Sequence, residues 1–559
     1  MTLLILLPFL LISGSFSFSV SVTTIPTPTT TSTGPPPKPT IPAIYEAEGQ
    51  ILLPYAEIIE PFTAYFDGKN NKSRIDYYGG TVVTYQRADI KPYGVNQKLV
   101  YTSATERNCF QQNGTVNATA TTQTVFPDLT QSNYTYEGPY TFNNQTYDIW
   151  KFLHRDSNGP DKLNTYRLWM TTGKNPLPAR FQMMGANTVF GSHFDKYEVV
   201  YSKVQVLKTI DPKTFAVPTN YTCTGFPGPG KMLFNPMQEF INNDDSHVDE
   251  SFAEFKDNHN RVYRSKTEHE ERKNNFRHNL RFIHSTNRQG NSFTLAVNHL
   301  ADRTDEEMRI LRGKQRSNSE FNGGLPFPPH DVSDLPDSLD WRLYGAVTPV
   351  KDQAICGSCW SFGTTGTIEG AYFVHLLIQQ TGHLVRLSQQ ALIDCSWKFG
   401  NNGCDGGEDF RAYQWIMNGT GLPLADSYGP YLGQDGICSD TSKTETVKIT
   451  GYVNITSGDR EALRAAMFSH GPISVSIDAS HKTFGFYSSG VYYDPKCRND
   501  EDGLDHSVLA VGFGIMNGER YWLVKNSWST YWGNDGYVLM SQKNNNCGVA
   551  TSATYVTFD

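Results

Sequence analysis

The sequence predicts an α+β chain built from three unlike stretches: an antiparallel β domain, a charged helical segment and a C-terminal α+β domain. Three observations carry this. From about Ile44 to Phe226, segments such as RIDYYGGTVVTYQRA, NTYRLWMTTG and FDKYEVVYSKVQVL are rich in Tyr, Val and Thr and are broken at short intervals by Gly, Pro and Asn, the texture of strands joined by turns. Between Phe240 and about Gly313 the texture becomes charged, and Glu268, Arg272, Phe276, Asn279, Ile283 and Asn287 recur at spacings of 4, 4, 3, 4 and 4, one face of an α-helix. From Leu335 to Asp559 an early helical stretch gives way to strands with Gly-rich turns, and seven of the nine cysteines lie there.

Taken in order, the 559 residues suggest two to four domains at roughly 100–200 residues each. Residues 1–19 open on MTLLILLPFLLISG, an apolar stretch followed by small residues, which reads as a secretory signal. It is too short for a membrane anchor, which needs about 20 apolar residues; no other window qualifies, so a soluble protein without a transmembrane segment is expected. Residues 20–43 are Thr/Pro-rich and read as an extended linker open to O-glycosylation. The β domain is placed at 44–230 and closes on FPGPGK, a linker. The helical segment is placed at 240–325. In it the alternation Ala296, Asn298, Leu300, Asp302 suits a short strand, and GGLPFPP at Gly323–Pro329 suits a processing loop. The last domain spans 335–559. The net charge of −8 is spread without long runs, which excludes a nucleic-acid-binding composition.

Eight glycosylation sequons begin at Asn71, Asn113, Asn117, Asn133, Asn144, Asn220, Asn418 and Asn454. Six of them crowd into the β region, which favours an exposed, export-routed domain. In an exported chain most cysteines pair. Cys109 and Cys223 are the only two in the β region and are expected to pair with each other. The odd total leaves at least one free thiol, which in an oxidising compartment usually has a reactive task.

The chemistry gathers around Gln353-Ala-Ile-Cys356-Gly-Ser-Cys359-Trp360. A Cys-x-x-Cys pair can be half of a zinc site, a redox pair, or one structural and one reactive cysteine. Zinc needs a second pair at close spacing, and none exists, so no metal and no cofactor are expected. The third reading fits a C-G-[SA]-C-[WY] nucleophile with His and Asn about 130–150 residues downstream. His506 lies 147 residues after Cys359, and Asn526 lies 20 further on, in Lys525-Asn526-Ser-Trp528. A thiol is mostly protonated at neutral pH; a neighbouring imidazolium and a helix N-terminus can bring its pKa to about 3–4. Cys359 precedes an expected helix, Trp360 to Ile378. His506 would return the proton to a leaving amine, Asn526 would orient the ring, and Trp528 would shield that contact. Gln353 and the backbone N–H of Cys359 would form an oxyanion hole.

With these motifs the region 335–559 resembles the papain family of cysteine proteases on its cathepsin-L-like side. LPDSLDWR, Gly403-Cys404-Asp-Gly-Gly407 and NSWSTYWGNDGY match as well, and the pattern Glu268 to Asn287 resembles that family's inhibitory prosegment. The resemblance implies a two-lobed catalytic domain with a helical and a β-barrel-like lobe. It implies hydrolysis of protein and peptide substrates through an acyl-enzyme, a prosegment lying reversed in the cleft, and cystatin-type inhibitors. It also implies disulfides Cys356–Cys404, Cys395–Cys438 and Cys497–Cys547, leaving Cys359 free. Positions that map to substrate binding are Gly406, Gly407, Glu408, Asp409, Ser476, Leu504, Ser507 and Ser552. Glu408 and Asp409 stand where the family usually has apolar residues on one wall of the S2 pocket. This suggests a weaker preference for bulky apolar P2 side chains and tolerance of basic ones; the bland alternative is that both carboxylates point to solvent. No long insertion separates Cys404 from Cys438, which favours endopeptidase action. Ser529 replaces a usual Gly, for which a local backbone adjustment is expected.

The β domain ahead of the prosegment resembles the arrangement of the two-chain haemocyte proteinases of insects, in which the N-terminal fragment is retained as a second chain. It reads as a structural or targeting module, with a lipid-binding or partner-binding module as the alternative. Two functions are therefore in view. One is an active endopeptidase of the secretory pathway, lysosomal, endosomal or extracellular. The other is a glycosylated binding protein with a vestigial protease, against which stands the presence of Cys359, His506 and Gln353 together.

Overall fold

A computed structural model describes residues 35–559, apart from 104–105, 131–132, 156–160, 190–191, 228–231, 233–234, 317–321, 379–381 and 441–443. The expected signal at 1–19, most of the 20–43 linker and the end of FPGPGK lie outside the described residues.

The N-terminal part is one 12-stranded sheet. Strands β1 (Ile44–Leu53), β2 (Ile58–Asp67), β3 (Lys72–Tyr77), β4 (Val82–Arg87), β5 (Val95–Tyr101) and β6 (Arg107–Asn113) form one antiparallel meander. Strands β7 (Thr135–Phe142), β8 (Gln145–Arg155), β9 (Lys162–Thr171), β10 (Pro178–Asn187) and β11 (His193–Val206) form a second, and the two join through β1 against β11. The short β12 (Cys223–Thr224) runs parallel to β6 with Cys223 opposite Cys109, and these two cysteines are disulfide-bonded. Alternation along β1 turns Tyr45, Ala47, Ile51 and Leu53 inward. Against them pack Val125 and Phe126 and a short helix α1 (Met237–Ile241), whose Met237, Phe240 and Ile241 are buried.

The helical segment follows. Helix α2 (Ser246–Asn258) lays Phe252 and Phe255 against Phe276 of α3 (Lys266–Asn287). Ser265 caps α3 by accepting from the Glu268 N–H. Strand β13 (Phe293–Leu295) pairs antiparallel with strand Tyr487–Tyr492 and so joins the C-terminal sheet. The strand expected over Ala296 to Asp302 is instead a set of turns. Asn298 is the reason: its Oδ1 accepts from the Leu300 N–H, closing a turn, while its Nδ2 donates to the Gly485 carbonyl. Thr304 and Glu307 form a capping box that starts α4 (Asp305–Arg309).

Two buried cores of the C-terminal part flank the site. One surrounds α5 (Cys359–Ile378), with Ile368, Leu392, Tyr413 and Ile416. The other lies on a sheet that includes strands Ile473–Ile477, His506–Met516, Glu519–Lys525, Tyr537–Ser541 and Ala553–Thr557. Helix α5 approaches this sheet closely because of its glycines; a Cβ on Gly366 would collide with Leu509 and one on Gly370 with Pro472. No helix among the described residues is long and apolar enough to cross a membrane.

Candidate active site

Cys359 is the first residue of α5, where the backbone N–H groups of the first turn favour negative charge. The disulfide Cys356–Cys404 pins the turn before it, and Trp360 Nε1 donates to the Gly403 carbonyl at 3.2 Å. Cys395–Cys438 and Cys497–Cys547 are also bonded, and Cys359 is the free cysteine. His506 begins the strand His506–Met516 and Asn526 follows the strand Glu519–Lys525. These strands pair antiparallel with Leu509 opposite Lys525, which carries His506 and Asn526 to the same sheet end. The His506 Nε2 donates to Asn526 Oδ1 at 2.8 Å. That bond leaves Nδ1 as the ring's other, buried nitrogen, and the Leu311 carbonyl of the prosegment favours the charged ring. Trp528 stacks obliquely on the imidazole at 4.8 Å. Gln353 is buried; its Oε1 accepts from Ser527 Oγ at 2.7 Å, and its Nε2 donates to the carbonyls of Cys356 (2.8 Å) and Leu311 (2.9 Å).

The contact with Leu311 belongs to the prosegment strand that the family resemblance places in the cleft, although the sequence did not single out its residues. Residues 311–316 run through the cleft. The Gly313 N–H donates to Cys359 Sγ at 3.3 Å. Gly407 N–H donates to the Gly313 carbonyl (2.9 Å), and the Gln315 and Lys314 N–H groups donate to the carbonyls of Gly407 (3.0 Å) and Asp505 (3.1 Å). Arg312 pairs with Asp505 at 2.8 Å and Arg316 pairs with Asp502. The signal that could have found this segment is Gly313, flanked by cations in Arg312-Gly-Lys-Gln-Arg316. A Cβ at 313 would overlap the Gly357 carbonyl, so only glycine passes beside the thiol.

This cover changes the electrostatics. Burial pushes the Cys359 thiol up to about 11, against the backbone N–H groups of Ser507 and Gly313, which favour thiolate. Burial also lowers His506 to about 4, although its bond to Asn526 favours the charged ring. In the covered cleft burial thus favours the neutral form of both groups, opposite to the thiolate expected from the sequence for an open site.

Four of the predicted substrate-binding residues, Glu408, Asp409, Ser507 and Ser552, line one cavity of about 550 Å³ together with Lys314 and Arg316. Gly407 holds the crossing strand, and Gly406 lies against it at φ 115°, where a Cβ would meet the Gly313 carbonyl. Ser476 and Leu504 are buried and are not among that lining. Neither acidic side chain simply faces solvent. Glu408 is buried and accepts from Arg411 Nε at 2.8 Å; Asp409 accepts from Ser474 Oγ (2.9 Å) and Thr554 Oγ1 (2.7 Å). Ser529 does not adjust its backbone but keeps φ 66°, a glycine conformation, at about 1–2 kcal/mol of strain. Seven of the eight sequon asparagines are exposed. Asn454 is half-buried and its Nδ2 donates to Asn322 Oδ1 at 2.7 Å, so a glycan there would displace Asn322.

Residues 335–557 match the family model of papain family cysteine proteases, and residues 252–308 match that of the cathepsin propeptide inhibitor domain (I29). Both matches lie C-terminal to the 12-stranded sheet. A cathepsin L-like peptidase of Aedes aegypti is 44% identical over 322 residues, 55% of this chain and 93% of that protein. Human cathepsin L2 is 42% identical over 320 residues, 56% and 93% of the two chains. Among solved structures, the digestive procathepsin L2 proteinase from Tenebrio molitor larval midgut is 35% identical with a TM-score of 0.52, over 56% of this chain and 100% of that one. The chain belongs to the papain family of cysteine proteases, as a cathepsin L-like enzyme made as a proenzyme with its own propeptide inhibitor domain.

Proposed function

We propose that the protein is a secretory-pathway endopeptidase in which Cys359, His506, Asn526 and Gln353 carry out the chemistry once the prosegment has left. The observation that carries this reading is the convergence of the one free thiol, an imidazole oriented by Asn526, and an amide donor now spent on the Leu311 carbonyl. In the open cleft the Cys359 proton passes to His506 Nδ1 and the thiolate attacks the scissile carbonyl carbon. Gln353 Nε2 and the Cys359 N–H hold the oxyanion. His506 then protonates the departing amine and a thioester remains. Water, deprotonated by the same ring, attacks the thioester, and Cys359 leaves as the free thiol beside the new carboxylic acid. Asn526 keeps Nε2–H pointed away from the reaction, and Trp528 covers that bond.

The substrates are proteins and peptides, and the wall bearing Asp409 accepts basic side chains at P2. Lys314 and Arg316 of the prosegment share that cavity, which supports the reading; Glu408 is neutralised by Arg411 and contributes little. Four disulfides fit an oxidising compartment, lysosomal, endosomal or extracellular. The N-terminal domain serves as a partner-binding module.

The test is covalent labelling of processed protein with an epoxide cysteine-protease titrant, beside hydrolysis of dipeptidyl substrates. Wild type is expected to label one-to-one and Cys359→Ser not at all. Processed wild type that neither labels nor hydrolyses would overturn the reading. A P2 series in which Asp409→Asn leaves Arg and Leu substrates in unchanged ratio would remove the specificity claim alone.

A further inference from the structure

Helix α3 has two buried faces. Phe276, Leu280 and Ile283 join the core shared with the catalytic domain. The second face bears Arg277, Arg281, Ser285 and Arg288; at about 100° per residue, Arg281 stands about 140° around the helix from Phe276. This face meets the β domain. Arg281 donates to Asp195 at 2.7 Å and 3.0 Å and to Glu239 of α1 at 2.7 Å. The three side chains are 5%, 2% and 6% exposed. Arg288 forks onto Glu60 at 2.5 Å and 2.7 Å, and Ser285 Oγ donates to the same carboxylate at 2.8 Å. Asn274 Nδ2 donates to the Phe194 carbonyl at 2.8 Å. Tyr78 and Glu60 bond Ser285 of α3, Lys162 bonds Glu270 of α3, and Tyr197 donates to the Phe240 carbonyl of α1.

These are interactions of a specific interface. Charges are sequestered from water only with complete pairing, and removing one partner is costly. An exposed prosegment helix would have no need of a second row of arginines fitted to fully buried acids. Nor does the exposed stretch 328–334, where the chain can be cut, separate α3 from the β domain; a cut there parts the catalytic domain from everything before it.

We propose that the β domain is a docking receptor for the prosegment helix, its acids Glu60 and Asp195 gripping the arginine face of α3, so that cleavage between the prosegment and the catalytic domain leaves an N-terminal fragment that keeps its prosegment folded and acts as a reversible inhibitor. The partner is thus a segment of the same chain, and it gives the partner-binding module its ligand. The inference rests on the cleft reading above only in its last step, inhibition.

The test uses the full chain with an external protease site inserted in 328–334. The chain is cut at neutral pH and treated with the epoxide, whose adduct on Cys359 takes the place of Gly313 and bars the strand from returning. The two parts are separated by size and amide exchange is read across α3. In the N-terminal part α3 is expected to exchange within a few-fold of its rate in the uncut chain. Added to unlabelled active enzyme, that part is expected to inhibit, with activity restored by excess substrate. Exchange of α3 at unprotected rates would overturn the proposal, as would a fragment that does not inhibit. Asp195→Asn is expected to speed α3 exchange at least about tenfold, the loss of one charged hydrogen-bond pair, while amides of β1 and β2 stay protected and show the sheet intact. Unchanged α3 exchange in that variant would also overturn it. Absence of labelling would mean that the strand stays docked after the cut at neutral pH, and the comparison of α3 exchange in wild type and Asp195→Asn in the cut chain would then decide the proposal.

Discussion

The prosegment is held on two sides by opposite physics. In the cleft the grip is mainly backbone: N–H and carbonyl groups of Gly313, Lys314 and Gln315 meet those of Gly407 and Asp505, and Arg312 and Arg316 add ion pairs toward the rim. On the sheet side the grip is side chain against side chain, with Arg281 and Arg288 sealed over Asp195, Glu239 and Glu60. A backbone grip tolerates many sequences, as suits a segment lying where substrates must lie. A buried-charge grip tolerates one partner. The difference teaches that a cleft inhibitor must be releasable, whereas the sheet contact is built for identity.

The largest effect is expected from breaking the sheet side. Glu60→Gln leaves the Arg288 guanidinium buried against a neutral amide, at a cost of about 3–5 kcal/mol. Thermal unfolding of the proenzyme should show the β domain and prosegment melting well before the catalytic domain. A melt like that of wild type would mean that water reaches Arg288 and that the two grips differ less than their burial implies.

Breaking the cleft side should come next. Gly313→Ala forces a Cβ into the Gly357 carbonyl and must lift the strand from Cys359. A loss of about 2 kcal/mol or more in docking, typical for overpacking, raises the open fraction about thirtyfold. Uncut Gly313→Ala proenzyme should therefore label with epoxide at neutral pH far faster than wild type, with its sheet-side melt unchanged. Equal labelling would show that the inhibitory strand does not depend on its pass beside the thiol.

Acid should loosen both sides. Burial lowers His278 to about 4 and His284 to about 3 on the sheet side, and His299 to about 3 and His506 to about 4 toward the cleft. Groups depressed in the docked state add stability that is complete above their ordinary value near 6.5 and is lost as pH falls toward 4. Asp505 opposes them: burial raises it to about 6, so its contribution favours docking below that pH and fades as pH rises through it. Four rings against one carboxyl give net release between about pH 6.5 and 4. His284 faces Arg288, His247, Lys98 and Glu239. His284→Asn should shift the midpoint of acid activation to lower pH and leave neutral latency intact; a midpoint that stays put would assign the pH response to the cleft alone.

How much of this was legible in the sequence differs in the same way between the two sides. Chemistry with fixed spacing could be read directly: Cys359, His506 and Asn526 stand at separations that only a shared site explains, and the free thiol follows from an odd count. The face Arg272, Phe276, Asn279, Ile283 could be read because its period is that of a helix. What could not be read depends on contacts across the chain. Arg277, Arg281 and Arg288 look like the solvated side of a charged helix until Asp195 and Glu60, more than 80 residues away in sequence, are placed against them. The state of the thiol escaped for a related reason: motif chemistry describes an open cleft, and the strand 311–316 carries no motif beyond one glycine.

The smallest expected effect is the most discriminating for the sheet side. Tyr78 shares a 2.7 Å hydrogen bond with Ser285 Oγ, which itself donates to Glu60. Tyr78→Phe removes this hydrogen bond and a longer one from Gln289 Nε2 (3.4 Å) without opening a cavity or stranding a charge, worth about 1 kcal/mol. If Tyr78, Ser285, Glu60 and Arg288 act as one network, combining Tyr78→Phe with Ser285→Ala should cost clearly less than the sum of the two single changes, because the second has already lost its partner. Strict additivity in denaturant melts would mean that the hydroxyl contributes locally and that the Arg288–Glu60 fork alone carries recognition. Coupling of about 0.5 kcal/mol or more would extend the interface beyond its charges to a surface that reads the shape of α3 as well as its sign.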